Sequence, residues 1–137
     1  MEDHFNLTDI EFETQFKNCE LKPSLFSHEA HLRLAWIHIN AYGIGKAFQN
    51  VEQQLEKFVD FLGETGKFNK TLTVAAVKVV YHFMLKSKST SFKEFMREFP
   101  QLKTDFRRLI NTHYGINIFS SDKAKTEYVE PDLVPFD

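Results

Sequence analysis

The sequence predicts an all-α fold: a single helical domain over residues 1–137, built as a bundle of about five or six helices with an extended C-terminal tail. Three observations carry this. Apolar residues return every three or four positions through most of the chain, the spacing that lines one face of an α-helix. Ser or Thr stands ahead of several of these stretches, where its side-chain oxygen can accept from the first unpaired N–H groups of a helix. Gly or Pro then closes most of them.

In chain order, Thr8-Asp9-Ile10-Glu11 has capping-box spacing and opens a short helix to Lys17 that brings Phe12 and Phe16 together. Asn18 to Ser24 interrupts, and Pro23 fixes a turn or extended entry. Ser27 is the N-cap of the next helix, and Glu29 favours the positive end of its dipole. This helix, Phe26 to Tyr42, gathers Leu32, Ala35, Trp36, Ile39 and Tyr42 on one face and ends near Gly43. Gly43-Ile44-Gly45 makes a short turn, which implies an antiparallel neighbour. That neighbour repeats Ala47, Phe48, Val51, Leu55, Phe58 and Leu62 at helical spacing, with Gly63 as its C-terminal cap.

Asn69 to Leu85 is apolar on nearly every side and is expected to be the most buried helix. Its β-branched run favours a strand, but its length without Gly or Pro decides for helix. A polar stripe of Thr71, Lys78 and His82 survives on it, with Ala75 between and Tyr81 at the border. Ser91 and Glu94 repeat the capping-box spacing before Phe92, Phe95, Met96 and Phe99. Pro100 ends that helix and starts another, in which Leu102, Phe106, Leu109 and Ile110 continue to a stop at Gly115. Ser121 caps one more helical turn. The tail from Tyr128 to Asp137 carries Pro131 and Pro135 and is expected to run extended, docked by Val129, Leu133 and Phe136 or frayed.

Composition narrows the function classes. Seventeen basic and nineteen acidic residues give a net charge of −2, so no electrostatic capture of nucleic acid or of an acidic membrane is expected. The basic residues Lys86, Lys88, Lys93, Arg97, Lys103, Arg107 and Arg108 read as solvated helix faces, because the Phe residues between them fall on the inward period. Fifteen Phe against one Trp favour a packed core over a recognition surface. Cys19 is alone, which points to a reducing, cytoplasmic setting. The acidic start MEDHFNLTDIEFE is not a signal peptide, and no apolar run is long enough to span a bilayer.

The candidate chemistry centres on His28 and His31, one turn apart and ~60° apart around the helix axis. His28-Glu29-Ala30-His31 misses the HExxH zinc motif by one residue, and no His follows a Glu by three, as bundle di-iron sites require. A transition metal held by His28 and His31 would need further ligands from Cys19, His82, His113 or a carboxylate; hydrogen-bonded boundary histidines are the preferred reading. Gly63-Glu64-Thr65-Gly66-Lys67 and Gly43-Ile44-Gly45-Lys46 lack phosphate-loop spacing and a preceding strand. There is no GxSxG elbow.

Four blocks resemble a bacterial family of small uncharacterised proteins: Phe16-Lys17-Asn18-Cys19-Glu20-Leu21, Phe26-Ser27-His28-Glu29-Ala30-His31-Leu32 through Trp36, Lys67-Phe68-Asn69-Lys70-Thr71-Leu72-Thr73, and Pro131-Asp132-Leu133-Val134-Pro135. The resemblance covers most of the chain and implies no established activity. Where the family's third block would carry His, this chain has Asn69. A cluster of three histidines would thus be reduced to His28, His31 and an amide, which bonds well to hydrogen and poorly to zinc or iron.

Two function classes stand. In the first, a small molecule binds between the His28/His31 helix and the Asn69 helix, with His28 or His31 as general base or hydrogen-bond donor. Asn69 and Thr71 orient the ligand there, with Lys78, Tyr81 and His82 as secondary contacts. In the second, the chain is a non-catalytic interaction domain and its histidines are structural. No catalytic residue, cofactor or oligomeric state is assigned by the sequence.

Overall fold

The computed structural model describes Met1–Phe136. Among these residues all regular structure is helical: eight α-helices and three short 3-10 turns. The backbone falls into two compact units, Met1–Phe68 and Asn69–Asp137.

The first unit begins with a 3-10 turn, Asp3–Asn6, followed by α1 (Asp9–Lys17), α2 (His28–Tyr42) and α3 (Ile44–Phe61). Its helix starts follow the sequence. Thr8 and Glu11 exchange both hydrogen bonds of a capping box, and the Ser27 hydroxyl accepts from the Ala30 N–H. The expected Gly43-Ile44-Gly45 turn contracts to Gly43 alone, because Gly43 takes φ 83°, ends α2 and lets Ile44 start α3. Gly63, with φ 73°, follows α3, and its N–H bonds to the Asp60 carbonyl. Between α1 and α2 the chain turns at Cys19, the one non-glycine residue at positive φ (58°) among those described. At the centre, the rings of Phe16 and Phe58 stack at 4.7 Å, and Phe26 closes on both, at 4.7 Å and 5.4 Å.

The second unit contains α4 (Lys70–Met84), α5 (Phe92–Glu98), α6 (Gln101–Thr104), α7 (Phe106–Asn111) and α8 (Asp122–Thr126). Its caps are Asn69, Ser91 and Ser121, each accepting from the backbone N–H three residues on. The helix count exceeds the expected five or six in part because the run from Leu102 to Ile110 is broken. Asp105 leaves helical geometry at φ −128°, ψ 28° and divides α6 from α7. Thr104 and Asp105 are both weak helix formers, whose polar side chains compete for the backbone.

Burial is distributed differently from the sequence expectation. No residue of α4 is exposed, as its apolar circumference implies, yet α2 has ten fully buried residues against six in α4. The one-sided reading of α2 fails because Glu29 and Arg33 are buried with the apolar residues, while Tyr42 is 48 % exposed.

Arg33 explains how a charged side chain can lie inside α2. Its Nη1 donates to the His4 carbonyl at 2.7 Å, and its Nη2 to the Leu7 carbonyl at 2.8 Å and Asp9 Oδ1 at 2.9 Å. The guanidinium also lies over the Phe12 ring, 4.9 Å from its centroid. These bonds fasten the 3-10 turn and the start of α1 to α2. Removing one partner of a buried charged network strands the others, so Arg33→Ala is expected to cost about 3 kcal/mol or more, against ~0.5 or less for the exposed Arg97→Ala. Urea unfolding followed by far-UV circular dichroism compares the two. Equal losses would remove Arg33 from this role.

Candidate functional site

The start of α2 presents two histidines, and the residues on either side of them decide what each can do. His28 and His31 are both exposed. His31 Nδ1 lies 2.8 Å from the Ser27 carbonyl, which can only accept, so Nδ1 carries the proton and Nε2 the lone pair. Its ring stacks on Phe26 at 3.8 Å between centroids. Desolvation on that side lowers its pKa, the Ser27 bond opposes this and His28 adds to it; the hydrated side of the exposed ring limits how far the shift goes.

Glu29, between them, turns inward. It accepts from His4 Nε2 at 2.7 Å, and His4 is 1 % exposed. Arg33 Nη1 stands 3.2 Å from His4 Nδ1, and guanidinium nitrogens only donate, so Nδ1 accepts and Nε2–H serves Glu29. Glu2 approaches the same Nε2 at 3.8 Å and accepts a hydrogen bond from the Ser27 hydroxyl.

Glu2, His4 and Glu29 are the three residues whose ligand atoms, all within 4.8 Å of one another, could surround a metal ion among the described residues. His28 and His31, the pair that the sequence reading weighs and disfavours as metal ligands, are not in this group. The donor set fits a metal poorly as arranged. A coordinating Nε2 would need its proton moved to Nδ1, where it would face an Arg33 N–H instead of the acceptor that metal-bound histidines use. The arrangement reads as a hydrogen-bonded chain of carboxylate, imidazole and guanidinium that holds residues 2–9 to α2.

In the second unit the predicted ligand residues serve the chain itself. Asn69 caps α4 by accepting from Leu72 N–H at 2.9 Å, and its Nδ2 donates to the Ile118 carbonyl at 2.8 Å. The fully buried Thr71 donates to the Glu127 carbonyl at 2.8 Å and accepts from Val129 N–H at 3.0 Å. Lys78 donates to the Tyr128 hydroxyl at 3.3 Å and lies over the rings of Tyr128 and Phe136. Tyr81 and His82 are half-buried. Burial first, then the charges of Lys86 and His113, hold the His82 pKa below the usual imidazole range. Of the polar stripe read along α4, Thr71 and Lys78 therefore contact residues 127–136, among which no helix or strand forms.

Four important residues escaped sequence reasoning. His4 carries no motif, and its partners lie 25 and 29 positions away. Glu29 and Arg33 did carry a signal, opposite charges at i and i+4 inside an apolar helix, which outlasts the helix-dipole reading of Glu29. The fourth is His38, fully buried, with Nδ1 3.3 Å from Asn50 Nδ2 and no hydrogen-bond partner at Nε2. Burial pushes its pKa down, against the pull of Glu13.

Comparison with family models, with curated proteins and with solved structures finds no match to this chain.

Two predictions follow from these positions. His38 has a folded pKa below its unfolded value of ~6.5, so the unfolded chain takes the proton first as pH falls. Its contribution to stability is complete above pH ~6.5 and is lost as pH drops toward and through the folded value. His38→Gln is expected to flatten the decline of unfolding free energy between pH 7 and 5 by up to ~1.4 kcal/mol per pH unit; urea titrations at each pH measure it, and an unchanged slope rejects the assignment. The exposed pair behaves differently. His28→Ala with His31→Ala is expected to cost ~1 kcal/mol, while Trp36→Ala, 4 % exposed, costs ~3 to 5, and thermal melts compare them.

Proposed function

We propose that the chain is a non-catalytic helical domain that binds another polypeptide, with its histidines and helix-start polar groups serving the fold. The observation that carries this reading is the use made of Asn69, Thr71 and Lys78. A small-molecule site needs convergent polar groups with bonding capacity left for a ligand, and these three direct theirs to Ile118, Glu127, Val129 and Tyr128. The net charge of −2 and the lone Cys19 support a cytoplasmic setting without a nucleic-acid surface. No helix among the described residues is long and apolar enough to cross a membrane.

A second reading keeps the small molecule, and His31 favours it. An exposed imidazole whose tautomer is fixed by Ser27 offers a lone pair at Nε2 to a hydrogen-bond donor or a soft cation. Thermal shift separates the two readings. A ligand at a hundred times its Kd stabilises by ~2.7 kcal/mol and should raise Tm by at least ~5 °C. The interaction reading expects shifts under ~1 °C from Zn2+, Mn2+ and a panel of common metabolites. A large shift that disappears in the His28→Ala, His31→Ala protein would replace it with the second reading.

A further inference from the structure

Residues 127–136 lie on the second unit without helix or strand, with bends at Glu127 and at 132–134. No residue of this segment is buried. Its backbone is nevertheless held at successive points. Thr71 bonds to both Glu127 and Val129, and the Tyr114 hydroxyl donates to the Val129 carbonyl at 2.7 Å. Leu133 N–H donates to the His113 carbonyl at 3.0 Å, and His113 Nδ1–H donates to the Val134 carbonyl at 2.7 Å. Two side chains of the segment are held as well. Asp132 accepts from Gly115 N–H at 2.9 Å, where a Cβ on residue 115 would meet the second carboxylate oxygen at 3.0 Å. Phe136 stacks on the His113 ring at 4.1 Å and receives the Lys78 ammonium over its face.

The holding side is organised and the held side is not. Thr71 and Tyr114 are 0 % and 2 % exposed and direct their hydroxyls at the segment's carbonyls, while Leu133 and Val134 are more than half exposed. A segment held largely by hydrogen bonds, with none of its own residues buried, is the kind that opens locally while the rest stays folded. Buried hydroxyls aimed at a peptide backbone are a recognition device, with specificity added where side chains are gripped.

We propose that this face of the second unit, formed by Thr71, Lys78, His113, Tyr114 and Gly115, is a peptide-recognition site. Its resident ligand is the chain's own 127–136 segment, and its exchange ligand is a segment of a partner protein with an aspartate and an aromatic ring spaced as Asp132 and Phe136. This rests on the interaction reading above and names its site and partner. The cis segment acts as an intramolecular competitor, so the affinity for a partner is reduced by the fraction of molecules that are closed.

The test uses the full chain and a fluorescent, end-blocked peptide of residues 127–136, followed by anisotropy. Asp132→Ala in the chain loosens the cis segment without touching the holding side, and is expected to tighten binding of the unaltered peptide ~10-fold over the wild-type chain. Adding His113→Ala to that chain, or replacing Phe136 by Ala in the peptide, should lose at least ~10-fold. Hydrogen exchange of the Asp132→Ala chain should accelerate at Val129 and Leu133 and not in α2 or α4. Equal weak binding by both chains, or binding indifferent to His113 and Phe136, overturns the proposal. So does loss of helical signal in Asp132→Ala, which would make the segment part of the fold, and so does a dimer of the wild-type chain that exchanges segments, which would make a second copy the occupant. Failure of peptide binding leaves the interaction reading to the thermal-shift result, which does not involve this segment.

Discussion

A polar group taken out of water by helix packing must find a partner inside the protein, and both units are arranged around that requirement. In the first unit the demanding group is the Arg33 guanidinium. Five N–H donors cannot be satisfied by a helix whose own carbonyls are already bonded, so the acceptors come from elsewhere in the chain: the carbonyls of His4 and Leu7 and the carboxylate of Asp9. Glu29 poses the opposite problem one turn earlier and is served by the imidazole of His4. One short segment before α1 thus answers an acid and a base on α2 together, and His4 is fixed in a single tautomer because it stands between them.

The second unit meets the same requirement with weaker means. Thr71 and Tyr114 are buried hydroxyls whose partners are backbone groups of residues 127–129, a stretch with no regular structure. A neutral hydrogen bond of this kind contributes about 0.5–1.5 kcal/mol net. Opposite charges fixed in a buried network cannot part without stranding an ion, whereas a hydroxyl uncovered by a departing segment meets water. The two units therefore differ in what opening costs.

This difference also explains what the sequence could and could not reveal. Caps and two of the stops were legible because they act within four residues: Thr8, Ser27, Ser91 and Ser121 all accept from the N–H three positions on, and Gly43 and Gly63 take the positive φ that their places demand, whereas α7 ends at Asn111, ahead of the stop expected at Gly115. The break at Asp105 was not, since apolar spacing across Leu102, Phe106 and Ile110 continues through it and only weak propensity marks it. The candidate site fared worse. Asn69 and Thr71 were singled out as residues that orient a ligand, and the choice between holding a ligand and holding the chain depends on Ile118, Glu127 and Val129, which no local pattern connects to them. His4 and Arg33 illustrate the limit, because an interaction spanning 29 residues leaves no period to read.

His38 shows what remains when the requirement is only half met. Asn50 serves one ring nitrogen and the other has no partner, although the residue is fully buried between helices of a well-packed unit. A neutral imidazole in this state costs the fold about 1–3 kcal/mol for the unpaired N–H. A charged one would cost more, because the burial that lowers the His38 pKa outweighs the opposing charge of Glu13, which is at the same time the acceptor for the Tyr42 hydroxyl at the end of α2.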